Sequence, residues 1–345
     1  MNHKRPIAGL ILTALVVAAC GTPGATTGPT TGATTPAATE DPMAAWPDSL
    51  VIGFVPSRDA SALVDTIQPI ADFLSTELGV EVEGFVSTDY TGLVTAMETG
   101  QAHIGAFNPY GMLQAVERAG GEIILQSERN GSGTYHTQFM TNNPDRYCTI
   151  SAPVENERES EINPGTFLNC NGTERGPQDT PEGPIGTDAI ANIPDGANVS
   201  FVTETSASGY IFPATSLVVS GIELDSINSI FAGAHDASAI AVCNGDAEVG
   251  VSFDDARSEA TTECDLNTEV VVFAYGAEIP NDGVVVAGDL PADLKAAIKA
   301  ALIKYAESED GNEVLRTVYN ITAFTDPNLD SLQIVRDAAR ELGLE

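Results

Sequence analysis

Basic side chains are scarce in this sequence. Lys and Arg number 15 against 49 Asp and Glu, a formal charge of −34, so attraction to nucleic acid or to an anionic membrane surface has the wrong sign. Aromatic residues make up only 6% of the chain, yet 43% of its residues are hydrophobic. That is enough to build cores over 345 residues, a length that accommodates about two domains, and global disorder is excluded. Long apolar runs are missing near the N-terminus as well. The uncharged run from Ile7 to Ala19 is 13 residues, short of the roughly 20 that a membrane-spanning helix needs. No CxxC or Cys–His spacing supports a zinc site, so neither a metal nor a cofactor is expected.

What the N-terminus does contain is a short basic region, Asn2-His3-Lys4-Arg5, then the apolar run, then Val17-Ala18-Ala19-Cys20-Gly21. This resembles a bacterial secretory signal, residues 1–19, with a lipoprotein cleavage box ending at Cys20. It predicts an exported protein held by a lipid on Cys20 at the outer face of the cytoplasmic membrane. Loss of residues 1–19 would leave 13 basic and 49 acidic groups, a charge of −36. Gly21 to Glu40 contain only Gly, Ala, Thr, Pro and one glutamate, so residues 20–47 read as a flexible tether and the folded part begins near Trp46. Cys148, Cys170, Cys243 and Cys264 remain, an even number in an exported chain. Two disulfides are expected; of three possible pairings, Cys148 with Cys170 and Cys243 with Cys264 is the most local, and the sequence leaves the choice open.

From Leu50 onward, strand-like and helix-like patterns alternate. Leu50 to Val55 is a short apolar run, and Leu63, Ile67, Ile70, Leu74 and Leu78 follow at helical spacing. Val80 to Val86, His103 to Phe107 and Ile123 to Leu125 read as further strands, with helices around Leu93 and after Pro109. A second half repeats this grammar in Val199 to Val202, Ser206 to Val219, Ala237 to Val242 and Glu248 to Phe253. The alternation predicts α/β architecture with parallel open sheets, whose ligands bind beyond the carboxyl ends of the strands. Asn142 to Pro194, rich in Pro, Gly, Asn and Glu, reads as a surface excursion clipped by a disulfide, and Pro291 to Tyr305 and Leu329 to Leu342 as helices.

Three strand-to-helix loops carry polar groups suited to chemistry. Ser87-Thr88-Asp89-Tyr90 supplies an N-cap and a tyrosine. Thr205-Ser206-Ala207-Ser208-Gly209-Tyr210 brings two hydroxyls to the positive end of a helix dipole, an arrangement that suits an anion. Phe231-Ala232-Gly233-Ala234-His235-Asp236 adds a histidine. None of these loops contains Lys or Arg, so a site built from neutral donors, free of basic side chains, is expected.

Taken in order, Asp89-Tyr90, Gly133-Thr134-Tyr135, Ser206-Ala207-Ser208-Gly209-Tyr210 with Pro213, Gly233-Ala234-His235-Asp236 and Ile279-Pro280-Asn281-Asp282 resemble the phosphonate-binding proteins of ABC importers over about residues 48 to 345. The resemblance implies a periplasmic-binding-protein fold of type II, with lobe one at 48–133 plus 278–345, lobe two at 134–277 with an insertion at about 142–194, and a hinge of two chain crossings. It implies that Ser206, Ser208, the backbone at Ala207, Tyr90, Tyr135 and His235 hold a phosphorus oxyanion. Asp255 and Asp282 would take the ammonium group of an aminoalkyl phosphonate. The family often has threonine where Ala207 stands and glutamate where Asp255 stands. The implied partners are a permease and an ATPase, with the binding protein a monomer.

Two other readings share these residues. A tethered anion sensor feeding a membrane receptor would need the same fold and site. An exported serine hydrolase could draw a triad from Ser206, His235 and Asp255, although the serines do not stand in a Gly-x-Ser-x-Gly elbow. No enzymatic activity is expected.

Overall fold

The computed structural model describes residues 46–57, 60–158, 165–174, 183–258 and 263–344. The expected signal, Cys20 and all but the last two residues of the expected tether fall outside them. Trp46 donates from its indole N–H to Asp293 Oδ2 at 3.0 Å and packs on the first hydrophobic core.

The chain first lays down β1 (Ser49–Phe54), β2 (Glu81–Val86), β3 (Ile104–Phe107) and β4 (Glu122–Glu128). It then crosses to a second sheet made of β5 (Thr134–Thr141), β6 (Val154–Arg158), β7 (Gly165–Asn169), β8 (Asn198–Phe201), β9 (Asn228–Phe231), β10 (Val249–Phe253) and β11 (Val271–Pro280). It returns to the first sheet with β12 (Gly283–Val286) and β13 (Ala323–Thr325). The sheet orders are β13-β4-β12-β3-β1-β2 and β6-β7-β11-β5-β10-β8-β9. Two crossings, β4 to β5 and β11 to β12, therefore join two α/β halves, the two-lobed architecture anticipated from the motif order.

The sheets are mixed, which corrects the expectation of parallel ones. β1 pairs in parallel with β2 and β3, and β8 with β9 and β10. The returning strand β12 runs antiparallel between β3 and β4, and the crossing strand β5 runs antiparallel to both β10 and β11. A chain that crosses over and comes back must traverse each sheet against the direction of its βαβ units. The region 142–194 is also more than a surface excursion. β6 and β7 form an antiparallel pair, and β7 adds to β11 in parallel, burying Phe167 and Asn169 completely.

Local sequence explains how the site-bearing helices are seated. Asp89 caps the helix Tyr90–Glu98 by accepting from the Gly92 N–H at 2.7 Å. Gly53 lies beneath it in β1, where a Cβ would collide with Leu93 and the Phe85 ring. Asn108 caps Pro109–Ala119, accepting from Gly111 N–H at 2.7 Å, and Gly120 closes that helix in the left-handed conformation at φ 64°. The carboxyl ends of β1, β2, β3, β8 and β9 thus face one common region.

The disulfides join Cys148 to Cys170 and Cys243 to Cys264, with Cα atoms 4.9 and 6.2 Å apart. The first closes a loop of sequence separation 22 that contains β6. Loop-closure entropy for that length is about 3 kcal/mol. Replacing Cys148 and Cys170 together by serine should lower unfolding stability by about that amount in urea titration under oxidising conditions; a double variant with the wild-type midpoint would show that the bridge contributes nothing.

Candidate functional site

Between the two sheets lies a cavity of about 40 Å³ lined by Tyr90, Tyr135, Ser206, Ser208, His235 and Asp282, and also by Ser57, Asn108, Arg129 and Tyr319. A water needs roughly 10–15 Å³ of such space, so the cavity suits a compact ion of a few heavy atoms rather than a nucleotide.

Its second-sheet wall is the loop after β8. Ser206 is the N-cap of a π-helical turn, Ala207–Ile211, that runs into the α-helix Phe212–Val219. The Gly209 N–H donates to Ser206 Oγ at 3.1 Å, and a Cβ on Gly209 would collide with Val202, so this turn lies hard against the end of its strand. The Thr137 hydroxyl donates to the Ser208 carbonyl at 2.6 Å and anchors the turn to β5. First-turn N–H groups of a helix lack intrahelical partners and carry the positive end of its dipole. Ser206 and Ser208 are both buried.

His235 opens the helix His235–Cys243 after β9. Its Nδ1 accepts from the Phe253 N–H at 3.2 Å, which assigns the proton of the neutral ring to Nε2 and makes that nitrogen a donor. Nε2 lies 3.5 Å from Ser206 Oγ. A histidine base in a serine triad has the opposite tautomer, with Nδ1–H directed at a carboxylate. The hydrolase reading is therefore not supported by the geometry.

The first-sheet wall contributes Tyr90, at the start of its helix, and Tyr319, whose hydroxyl donates to the Val55 carbonyl at 2.7 Å. Burial pushes the Tyr90 hydroxyl well above its usual pKa. Tyr319, Asp282 and Tyr135 add to that, while a hydrogen bond with Ser206 works against it. Tyr135, at the start of β5, is raised by burial and then by Asp282, partly offset by Ser208 and Arg129. Both phenols hold their protons at neutral pH and can donate. The two walls also touch directly, because Asn108 Nδ2 donates to the Thr205 carbonyl at 3.1 Å and the His235 N–H donates to the Ser57 carbonyl at 3.2 Å.

Two sequence expectations need correction. Asp255 does not line the cavity. It is fully buried in the second lobe, where it accepts from Gln138 Nε2 at 3.0 Å, from the backbone N–H of Arg257 at 3.0 Å and from Arg257 Nη2 at 2.7 Å, with Arg158 Nη2 at 3.5 Å. An ammonium group in the cavity has no access to it. Ala207 is buried and is the first residue of the turn that Ser206 caps. A basic side chain does reach the cavity: Arg129, from the crossing between β4 and β5, donates to Asn281 Oδ1 at 2.9 Å and to Asp282 Oδ2 at 2.5 Å. Arg129, Asn108, Ser57 and Tyr319 were not singled out from sequence. Of these, Asn108 had a readable signal, an N-cap residue immediately before Pro109.

The fold and site define a class: a two-lobed binding protein with a small anion-suited pocket between sheets that are joined by two crossings. The model of the family described as "ABC transporter, phosphonate, periplasmic substrate-binding protein" matches residues 52–332, and the chain belongs to that family. Its members are periplasmic substrate-binding proteins, which puts the chain outside the cytoplasm. The phosphate-import protein PhnD of Mycolicibacterium smegmatis is 26% identical over 219 residues, 61% of this chain and 56% of that protein. The phosphonates-binding periplasmic protein of Escherichia coli is 25% identical over 95 residues, 27% of this chain and 28% of that protein. The matched stretches thus span about half or less of these relatives. Among solved structures, PhnD1 of Prochlorococcus marinus in complex with methylphosphonate superposes with a TM-score of 0.69 at 17% identity, covering 88% of this chain and 100% of that one. At this identity the likeness is one of fold.

The Asp255 cluster yields a stability prediction. Burial alone would raise the Asp255 pKa; the guanidinium groups of Arg257 and Arg158, and hydrogen bonds from Arg257 and Gln138, outweigh it and hold the carboxyl well below its usual range. A depressed folded-state pKa gives stability that is complete above the unfolded value near 4 and is lost as pH falls below it. Asp255→Ala, which strands two buried guanidinium groups, should cost about 3–5 kcal/mol at pH 7. Its penalty should shrink as the pH of a urea titration is taken below about 4; a penalty independent of pH would contradict the ionised pairing.

Proposed function

We propose that the protein is the substrate-binding lipoprotein of an ABC importer, capturing a small phosphorus oxyanion, a phosphonate or a related ion, in the inter-lobe cavity. The observation that carries this reading is the convergence of Ser206, Ser208 and their helix start with Tyr90, Tyr135 and the Nε2–H of His235 on one small buried space. A tetrahedral oxyanion has lone pairs pointing in several directions, and donors from both lobes are suited to satisfy them together. Family membership and the names of the relatives, which speak of phosphate import, phosphonate binding and a methylphosphonate complex, support the same ligand class. A permease and an ATPase would receive the ligand, and a lipid on Cys20 would hold the protein at the membrane. The sensor reading shares the fold and the donors, and no observation favours it.

Each hydrogen bond to a charged oxyanion contributes roughly 1.5–3 kcal/mol. Ser206→Ala and Tyr135→Phe should each weaken binding of methylphosphonate or phosphate by about tenfold or more in calorimetric titration. Because the ligand binds only the folded chain, saturation at about 100 Kd should stabilise the wild type by about 2.7 kcal/mol and raise its melting temperature. Unaltered affinity in both variants would remove these donors from the site.

A further inference from the structure

We propose that Arg129 sets ligand specificity by cancelling the charge of Asp282, so that the cavity selects phosphorus oxyanions without a cationic tail. This rests on the cavity being the oxyanion site proposed above, and it names the ligand class more narrowly. Among the described residues, Asp282 is the only carboxylate lining the cavity, and Arg129 and His235 are the only basic side chains. Asp282 is not available as a free anion, because Arg129 Nη2 lies 2.5 Å from its Oδ2.

Arg129 is fixed in that position. Its Nη1 donates to Asn281 Oδ1 at 2.9 Å, its Nε donates to the Tyr319 carbonyl at 3.0 Å, and its guanidinium lies over the Tyr135 ring at 5.2 Å from the centroid. Asn281 is itself tied by its Nδ2 to the carbonyls of Ser127 at 3.1 Å and Ser132 at 2.8 Å. With three of its nitrogens engaged as donors and its Cζ over the Tyr135 ring, the guanidinium is held in place and does not release Asp282 to a ligand. An ammonium group brought to Asp282 would meet a positive charge already paired there, and would lose its water without gaining a counter-ion. The second carboxylate that could have served it, Asp255, is occupied by Arg257 and Arg158 away from the cavity.

Calorimetric titration at pH 7 with methylphosphonate, phosphate and 2-aminoethylphosphonate tests this on the wild type and on Arg129→Gln, with thermal melts to establish that the variant folds. The wild type should bind methylphosphonate or phosphate at least as tightly as the aminated ligand. Arg129→Gln, which frees the Asp282 charge, should shift the ratio toward 2-aminoethylphosphonate by about tenfold or more, and adding Asp282→Asn should abolish that shift. Preference of the wild type for the aminated ligand, or an unchanged ratio in folded Arg129→Gln, overturns the inference. Should Arg129→Gln alone not fold, the double variant Arg129→Gln/Asp282→Asn decides: with both charges removed the ratio stays as in the wild type if the pair is neutral, and falls against the aminated ligand if Asp282 serves its ammonium group. Absence of binding by all three ligands to the wild type would instead overturn the proposed function itself.

Discussion

One buried amide organises the double crossing on which the two halves depend. Asn281 is fully buried between β11 and β12, its backbone N–H donates to the Gly133 carbonyl at 2.9 Å, and its side chain spans the carbonyls of Ser127, near the end of β4, and Ser132, in the other crossing. Its Oδ1 accepts from Arg129. The Ser127 N–H returns a bond to the Asp282 carbonyl at 2.8 Å. Buried backbone groups at a crossing have no ladder to satisfy them, and each left unpaired would cost about 1–3 kcal/mol. An amide has both donor and acceptor capacity, so it can serve two strands that are not regularly paired at that point. Arg129, Asp282 and Tyr135 all follow from this knot, and with them one face of the cavity.

Most of the fold was legible because its elements follow short-range rules. The apolar spacing of Leu63, Ile67, Ile70, Leu74 and Leu78 and the Asn108-Pro109 start both reappear as observed helices. Sheet direction was not legible, since β5 and β12 are antiparallel only because the chain crosses between sheets and comes back, a long-range fact with no local signal. The strands β6 and β7 escaped notice for another reason. Val154–Arg158, the edge strand, is polar at every position after Val154, and Gly165–Asn169 beside it has only Phe167 and Leu168 as large apolar residues, so both lack the continuous apolar run of central strands.

For the site, residues on strand-to-helix loops were readable from local chemistry, whereas those at the crossings came from the family resemblance, as Tyr135 and Asp282 did, or not at all, as with Arg129. The turn from Ser206 to Tyr210 announces itself by composition, since small hydroxyl residues at a helix start have a recognised physical role. Asp255 was misplaced because its fate depends on Arg158 in β6 and Arg257, and a sequence in which acids outnumber bases by more than three to one gives no hint which of them are paired. Arg129 went unmarked for the complementary reason: it stands alone between Glu128 and Asn130, outside any motif. Its importance comes entirely from what the double crossing brings beside it.

The electrostatics of the cavity are then consistent with the charge of the whole chain. A protein with a formal charge of −34 opposes the approach of an anion at long range, but at an ionic strength of about 0.15 M that field decays over about 8 Å. Inside the cavity the Arg129–Asp282 pair contributes little net charge, so attraction must come from oriented dipoles and protons: the helix start at Ser206, the Nε2–H of His235 and two phenols whose burial keeps them protonated. Such donors are strong only at hydrogen-bond distance and only when all are presented together, which requires both lobes. Tyr90 comes from the first sheet and Ser206, His235 and Tyr135 from the second, so the full donor set exists only where Asn108 and Ser57 meet Thr205 and His235 across the cavity.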